Sequence, residues 1–237
     1  MRLLFVLLST MTSVAAGATA YSDADSEMAA LTMTAIEIEY VNQFRKMCSE
    51  EIPSLRPNFG KAILSWRIAN EIEVQAVQSF RNQPDSRRIF DGVVKNGVNR
   101  SKASLTVLST EERRKACLGF LALAKEQNQK IRDRTPKASS YLTQYLKRKP
   151  LSDLALEEYE HLMGCAKQAA NLGFDYDKAD AVCHCQWTVF HENLTREERA
   201  EFDAVAMTKD SKSLEWPPLK RIAVPLAMCH RKYFGPP

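Results

Sequence analysis

Six cysteines and four histidines are the residues of this chain best suited to chemistry, and the tightest group among them is Cys183-His184-Cys185. If that segment is helical, residues two apart leave the axis about 200° from each other, so the two thiols point to nearly opposite sides. They cannot comfortably bond to each other. Each needs a partner on a different neighbouring element, and Cys48, Cys117, Cys165 and Cys229 are available. An even number of cysteines in an exported chain predicts a disulfide framework. Six cysteines allow 15 pairings, among which the sequence alone does not choose. The nearest candidates for the Cys-x-Cys pair are Cys165 and Cys229, which leaves Cys48 with Cys117, and the pairing taken for the C-terminal half is Cys165–Cys185 with Cys183–Cys229.

The competing chemistry is metal binding. All four histidines, His161, His184, His191 and His230, fall in the C-terminal half beside the cysteines. His161 and Cys165, four residues apart, share a helix face and with Cys183 and His184 make a candidate ligand set. The divergence of Cys183 and Cys185 opposes this, as does the absence of a Cys-x₂-Cys spacing. A redox role is weaker still, because tuned thiolates sit in Cys-x-x-Cys at a helix start after a strand. No Gly-rich phosphate loop, Gly-x-Ser-x-Gly elbow or His-Glu-x-x-His occurs. The residues therefore suggest no catalytic group and no cofactor, and the pairs Glu157-Glu158 and Glu197-Glu198 read as helix-surface charges.

The elements that must hold these residues are predicted to be helices. Residues 1–20, MRLLFVLLSTMTSVAAGATA, have the order of a secretory signal peptide: Arg2, an apolar run, then small residues at Ala16, Ala18 and Ala20. In the remainder, glycine is scarce at 8 residues and β-branched runs are few, so the expectation is an all-α, disulfide-stapled domain. The spacing predicts about seven or eight helices. The first runs from Ser22 to Ile52 with one apolar stripe, and the second from Asn58 to Asn82. The stretch 82–104, with its Asp91-Gly92 and Asn96-Gly97 turn signals, reads as a long loop or small hairpin. Two matching capping boxes, Leu108-Ser-Thr-Glu-Glu-Arg113 and Leu194-Thr-Arg-Glu-Glu-Arg199, open later helices. Gly173 is placed to end the helix that carries Cys165. The Cys-x-Cys helix follows with Val182, Cys183, Trp187 and Phe190 on one face, and Pro225 is expected to bend or interrupt the last helix.

Charge is spread unevenly. Residues 21–149 carry 22 Lys+Arg against 15 Asp+Glu, and 150–237 carry 10 against 14. The basic tract Lys147-Arg-Lys-Pro150 separates a basic helical subdomain, 21–149, from an acidic one, 150–237, that holds the Cys-x-Cys helix. An anionic protein, a polyanion or a membrane surface is the expected partner, with Arg113, Arg114, Lys147 and Lys149 as contact residues. Aromatics are not interleaved with these cations, which argues against nucleic acid.

One resemblance adds to this. A helix-borne Cys-x-Cys followed about nine residues later by Leu-Thr-x-x-Glu, here Cys183-His-Cys185 and Leu194-Thr-Arg-Glu-Glu198, with one cysteine upstream and one near the C-terminus, resembles small exported helical proteins of proteobacteria. It covers residues 155–232. The resemblance implies a periplasmic disulfide domain, with no catalytic residue to carry over.

Overall fold

A computed structural model describes residues 26–83, 87–125, 130–207 and 216–235. The predicted leader, Pro84 and the side chains of Val205 and Ala206 lie outside the described residues. Among the described residues the chain is all-α, with eleven helices, one 3-10 turn and no strand, and three disulfides staple it. Bridges of this number belong to an oxidising compartment. The chain divides into two compact units, one through Leu156 and one from Glu157. The division therefore falls beyond the Lys147–Pro150 tract, because Ser79 Oγ donates to the Lys149 carbonyl and Leu151 is buried.

In the N-terminal unit α1 (Glu27–Glu51) is the central element, with five later helices packed on it, the first of them α2 (Arg56–Ala69), α3 (Glu71–Arg81), α4 (Arg87–Thr106) and α5 (Thr110–Lys125). The short α6 (Ile131–Arg134) follows, and α7 (Pro136–Arg148) closes the set against α1 and α3. Ser26 caps α1 by accepting from the Ala29 amide at 3.2 Å, and Pro53 starts the 3-10 turn after it. The predicted stripe is only partly buried: Tyr40, Phe44 and Cys48 are inside, while Met33, Ile36 and Met47 are half-exposed. A helix covered on several sides buries polar positions too. Glu37 is fastened by Arg134 of α6, and burial pushes its carboxyl above the usual carboxylate range against the pull of that guanidinium. Glu73 of α3 accepts from Ser139 Oγ at 2.7 Å. Phe44 meets Phe120 edge-on at 5.6 Å, beside the Cys48–Cys117 bridge whose Cα atoms are 5.3 Å apart.

Two predicted elements are corrected here. The single helix 58–82 breaks at Asn70, which is fully buried: its Nδ2 donates to the Trp66 carbonyl at 2.8 Å and its Oδ1 accepts from the Ile131 amide at 2.6 Å. The break thus supplies a cap for α6, a long-range need that no local pattern reveals. The supposed loop 82–104 is helical from Arg87 as part of α4. Its inward positions are Phe90, Val94 and Leu105, all buried, together with Gly97. A Cβ at Gly97 would lie 2.3 Å from Ile36 Cδ1, so glycine occupies the contact stripe to let α4 approach α1. A missing apolar residue in the stripe hid the helical period.

The C-terminal unit holds α8 (Asp153–Asn171, from Glu157 on), α9 (Tyr176–Asn193), α10 (Arg196–Met207) and α11 (Pro217–Phe234). Gly173, at φ 78°, closes α8 as predicted: the Phe174 amide reaches the Ala169 carbonyl and the Gly173 amide that of Ala170, each at 3.1 Å. Asp175 then caps α9 by accepting from the Lys178 amide. Val189, Phe190, Leu194, Ile222 and Cys229 form the core, with Phe202, Trp216, Leu219 and Leu226 packed on it. Pro225 lies inside α11 without ending it.

The two capping boxes repeat one constellation. The Ser109 and Thr195 amides each donate to the Glu three residues on at 2.8 Å, and Arg113 and Arg199 each reach back to a Leu carbonyl, at 2.8 and 2.9 Å. Each arginine also clamps a glutamate of its own unit, Glu51 in one case and Glu157 in the other. Both helix starts are thereby tied to a second helix.

Candidate functional site

The Cys-x-Cys helix is fastened on two sides, with a pairing that differs from the predicted one. Cys183 bridges Cys165 of α8, Cα to Cα 5.8 Å, and Cys185 bridges Cys229 of α11 at 5.7 Å. The reason is which face each neighbour covers. Val182, Cys183, Trp187 and Phe190 are buried together, and the His161 ring of α8 lies 5.6 Å from Trp187 and 5.1 Å from Phe190, so α8 lies on the Cys183 side. Cys185, pointing the other way, faces α11. The loops closed by the three bridges follow one another without crossing, at separations of 69, 18 and 44 residues.

The alternative ligand set His161, Cys165, Cys183 and His184 is not assembled. Disulfide sulfurs offer no thiolate, His161 packs among aromatic rings, and His184 is exposed with its Nε2 3.9 Å from Asp180. Among the described residues no group of three His, Cys, Asp or Glu is placed to hold a metal. Trp187 also carries the Arg199 guanidinium 5.8 Å above its ring, and Arg199 grips Glu157 with two nitrogens at 2.6 and 3.3 Å. This cluster binds helices to one another.

The four predicted contact residues do not form one patch. Arg113 is half-buried in its clamp on Glu51 at the C-terminal end of α1. Lys147 and Lys149 flank Arg148, which pairs with Glu27 at the N-terminal end of α1. A helix of 25 residues sets those ends about 36 Å apart, several times the screening length of about 8 Å at physiological salt. A second group of cations lies on either side of one turn, with Arg100 and Lys102, two residues apart on α4, leaving that helix in nearly opposite directions. The turn 107–109 joins α4 to α5, and Arg100, Lys102, Arg114 and Lys115 all lie within about two helical turns of it. All four are exposed, with no ion pair among the described residues. Val107 at the tip is 81 % exposed. The capping box and the Arg113 clamp fasten the start of α5 to the end of α1. The cations of this elbow belong to the predicted basic subdomain, 21–149, and the helical form of 87–106 shortens the reach from Arg100 and Lys102 to the turn.

A groove of about 470 Å³ lies beside α4, between it and α1, with Glu39, Gln43, Arg81, Asp91, Lys95 and Asn99 among its lining residues. Arg81 is neutralised there by Glu39 and Asp91, each at 3.2 Å. The lining contains no serine, cysteine or histidine, and its carboxylates Glu39 and Asp91 are both engaged by Arg81. Comparison with protein-family models, with characterised proteins and with solved structures finds no match for this chain.

Proposed function

We propose that this chain is an exported, non-catalytic binding protein of the periplasm or the extracellular space, whose basic N-terminal unit holds an anionic partner. The single observation that supports it most is the α4–α5 elbow, where Arg100, Lys102, Arg114 and Lys115 are exposed and unpaired among the described residues. Surface cations normally acquire an acidic neighbour where one is in reach, as Arg81, Arg134 and Arg148 do here. Four without one, on the two helix ends that flank a turn, make a local positive potential that attracts an acidic protein, a polyanion or an anionic surface. Export is supported by the leader-like residues 1–20 and by the absence of any free cysteine. The likeness to exported proteobacterial Cys-x-Cys proteins agrees with it.

The test is a charge-reversal variant, Arg100→Glu, Lys102→Glu, Arg114→Glu and Lys115→Glu together, loaded on a heparin column beside the wild type. Arg113 is left intact because it holds the fold. The expected result is elution at clearly lower salt with an unchanged circular dichroism spectrum. Elution at the same salt removes the elbow as the binding surface.

A further inference from the structure

Helix α11 has an outward face left bare among the described residues. Ile222 and Cys229 lie on its buried side, and the Cys185–Cys229 bridge prevents the helix from turning. Val224 and Met228, one turn apart on the opposite side, are consequently held in solvent at 68 % and 64 % exposure. Ala227 is exposed beside them. Beyond the C-terminal end of this stripe, Phe234 packs on Phe174 at 5.0 Å, next to Leu172, which is 68 % exposed. The charges are as selective as the apolar residues. In a half of the chain with 10 Lys+Arg against 14 Asp+Glu, α11 carries Lys220, Arg221, Arg231 and Lys232 and no acid at all. Arg221 pairs with Glu198, while Lys220 and Arg231 flank the apolar stripe at either end of the exposed face.

We infer that this face of α11 docks on the surface of an anionic lipid bilayer. Helices that lie in a membrane interface present an apolar face a few ångströms deep, with cations and aromatic side chains at headgroup level. The α11 face has that composition, and among the described residues no helix is long and apolar enough to cross a membrane. A second copy of the chain is disfavoured as occupant, because pairing the stripe with itself across a twofold axis brings Lys220 against the Arg231 end of the other copy. An acidic protein would need a groove for a convex ridge, whereas a bilayer interface accepts one. The site is separate from the elbow and does not rest on it.

Binding of the full disulfide-bonded protein to vesicles of phosphatidylcholine mixed with phosphatidylglycerol, and to vesicles of phosphatidylcholine alone, tests the inference by co-sedimentation. The wild type is expected to bind the mixed vesicles and to favour them over the neutral ones. Val224→Asp with Met228→Asp should weaken binding by roughly tenfold or more, and Lys220→Glu with Arg231→Glu and Lys232→Glu by roughly a hundredfold. Both variants change exposed positions, and an unaltered far-ultraviolet spectrum and free-thiol count show that they fold. The elbow variant should retain the vesicle binding that the α11 variants lose. No binding by the wild type, equal binding to neutral vesicles, or loss in the elbow variant but not in the α11 variants each overturns the assignment. So does loss, in the α11 variants, of an acidic protein partner while vesicle binding persists.

Discussion

Alanine at Gly92 and alanine at Gly97 should move stability in opposite directions although both lie in α4. At Gly92 a new Cβ meets nothing within 4 Å, so the substitution only removes the conformational freedom of glycine from an exposed helix position. That is worth about 1 kcal/mol, or a rise in melting temperature of about 2–4 °C for a chain of this size. At Gly97 the same gain meets a collision: the Cβ falls 2.3 Å from Ile36 Cδ1, 2.8 Å from Cγ1 and 3.4 Å from Cγ2. A terminal methyl could swing aside, but Ile36 is β-branched and sits inside α1, where one χ1 rotamer dominates. Overpacking of this kind costs about 1–3 kcal/mol, which leaves Gly97→Ala net destabilised by about 1 kcal/mol. Adding Ile36→Ala removes both clashing atoms, Cδ1 and Cγ1, so the double variant should be more stable than the two single effects summed, with a coupling of about 1–2 kcal/mol. Thermal melts followed at the helical circular dichroism band, without reductant, give all four values. If Gly92→Ala lowers the melting temperature, Gly92 stands in a turn that needs glycine and α4 is the loop its Asp-Gly and Asn-Gly pairs advertise. If both substitutions raise it equally, α4 does not touch Ile36.

Two further expectations follow from the buried polar groups. Asn70→Ala strands the Ile131 amide and should cost about 2–3 kcal/mol in urea unfolding, whereas a surface asparagine such as Asn58 should lose little. For Glu37, burial favours the protonated form in the fold, so the unfolded chain gives up that proton first as pH rises. The stability due to the group is full below its ordinary value of 4.5 and declines until pH passes the raised folded value. Glu37→Gln should therefore gain on the wild type through that window and run parallel to it above, and a gap that shrinks with rising pH would refute the assigned direction.

Residues near one another in the chain made much of this protein legible. The capping boxes at Ser109 and Thr195, the left-handed Gly173 stop and the opposed directions of Cys183 and Cys185 all follow from spacings of five residues or fewer, over which helix geometry is fixed by the backbone itself. The all-α class follows from composition, with glycine scarce and β-branched runs few. Tertiary structure decided what depends on which surfaces meet. It alone chose Cys165 rather than Cys229 for Cys183, because a helix face names a direction and not the neighbour lying there. It turned the glycines of α4 from turn signals into one packing contact and one neutral position, a distinction set by Ile36, sixty-one residues before Gly97. It separated Arg113 from Lys147 by the length of α1 and left Arg100, Lys102, Arg114 and Lys115 exposed on either side of one turn. Charge along a sequence is a sum, whereas a binding surface needs cations closer than the screening length, and only the folded chain sets those distances.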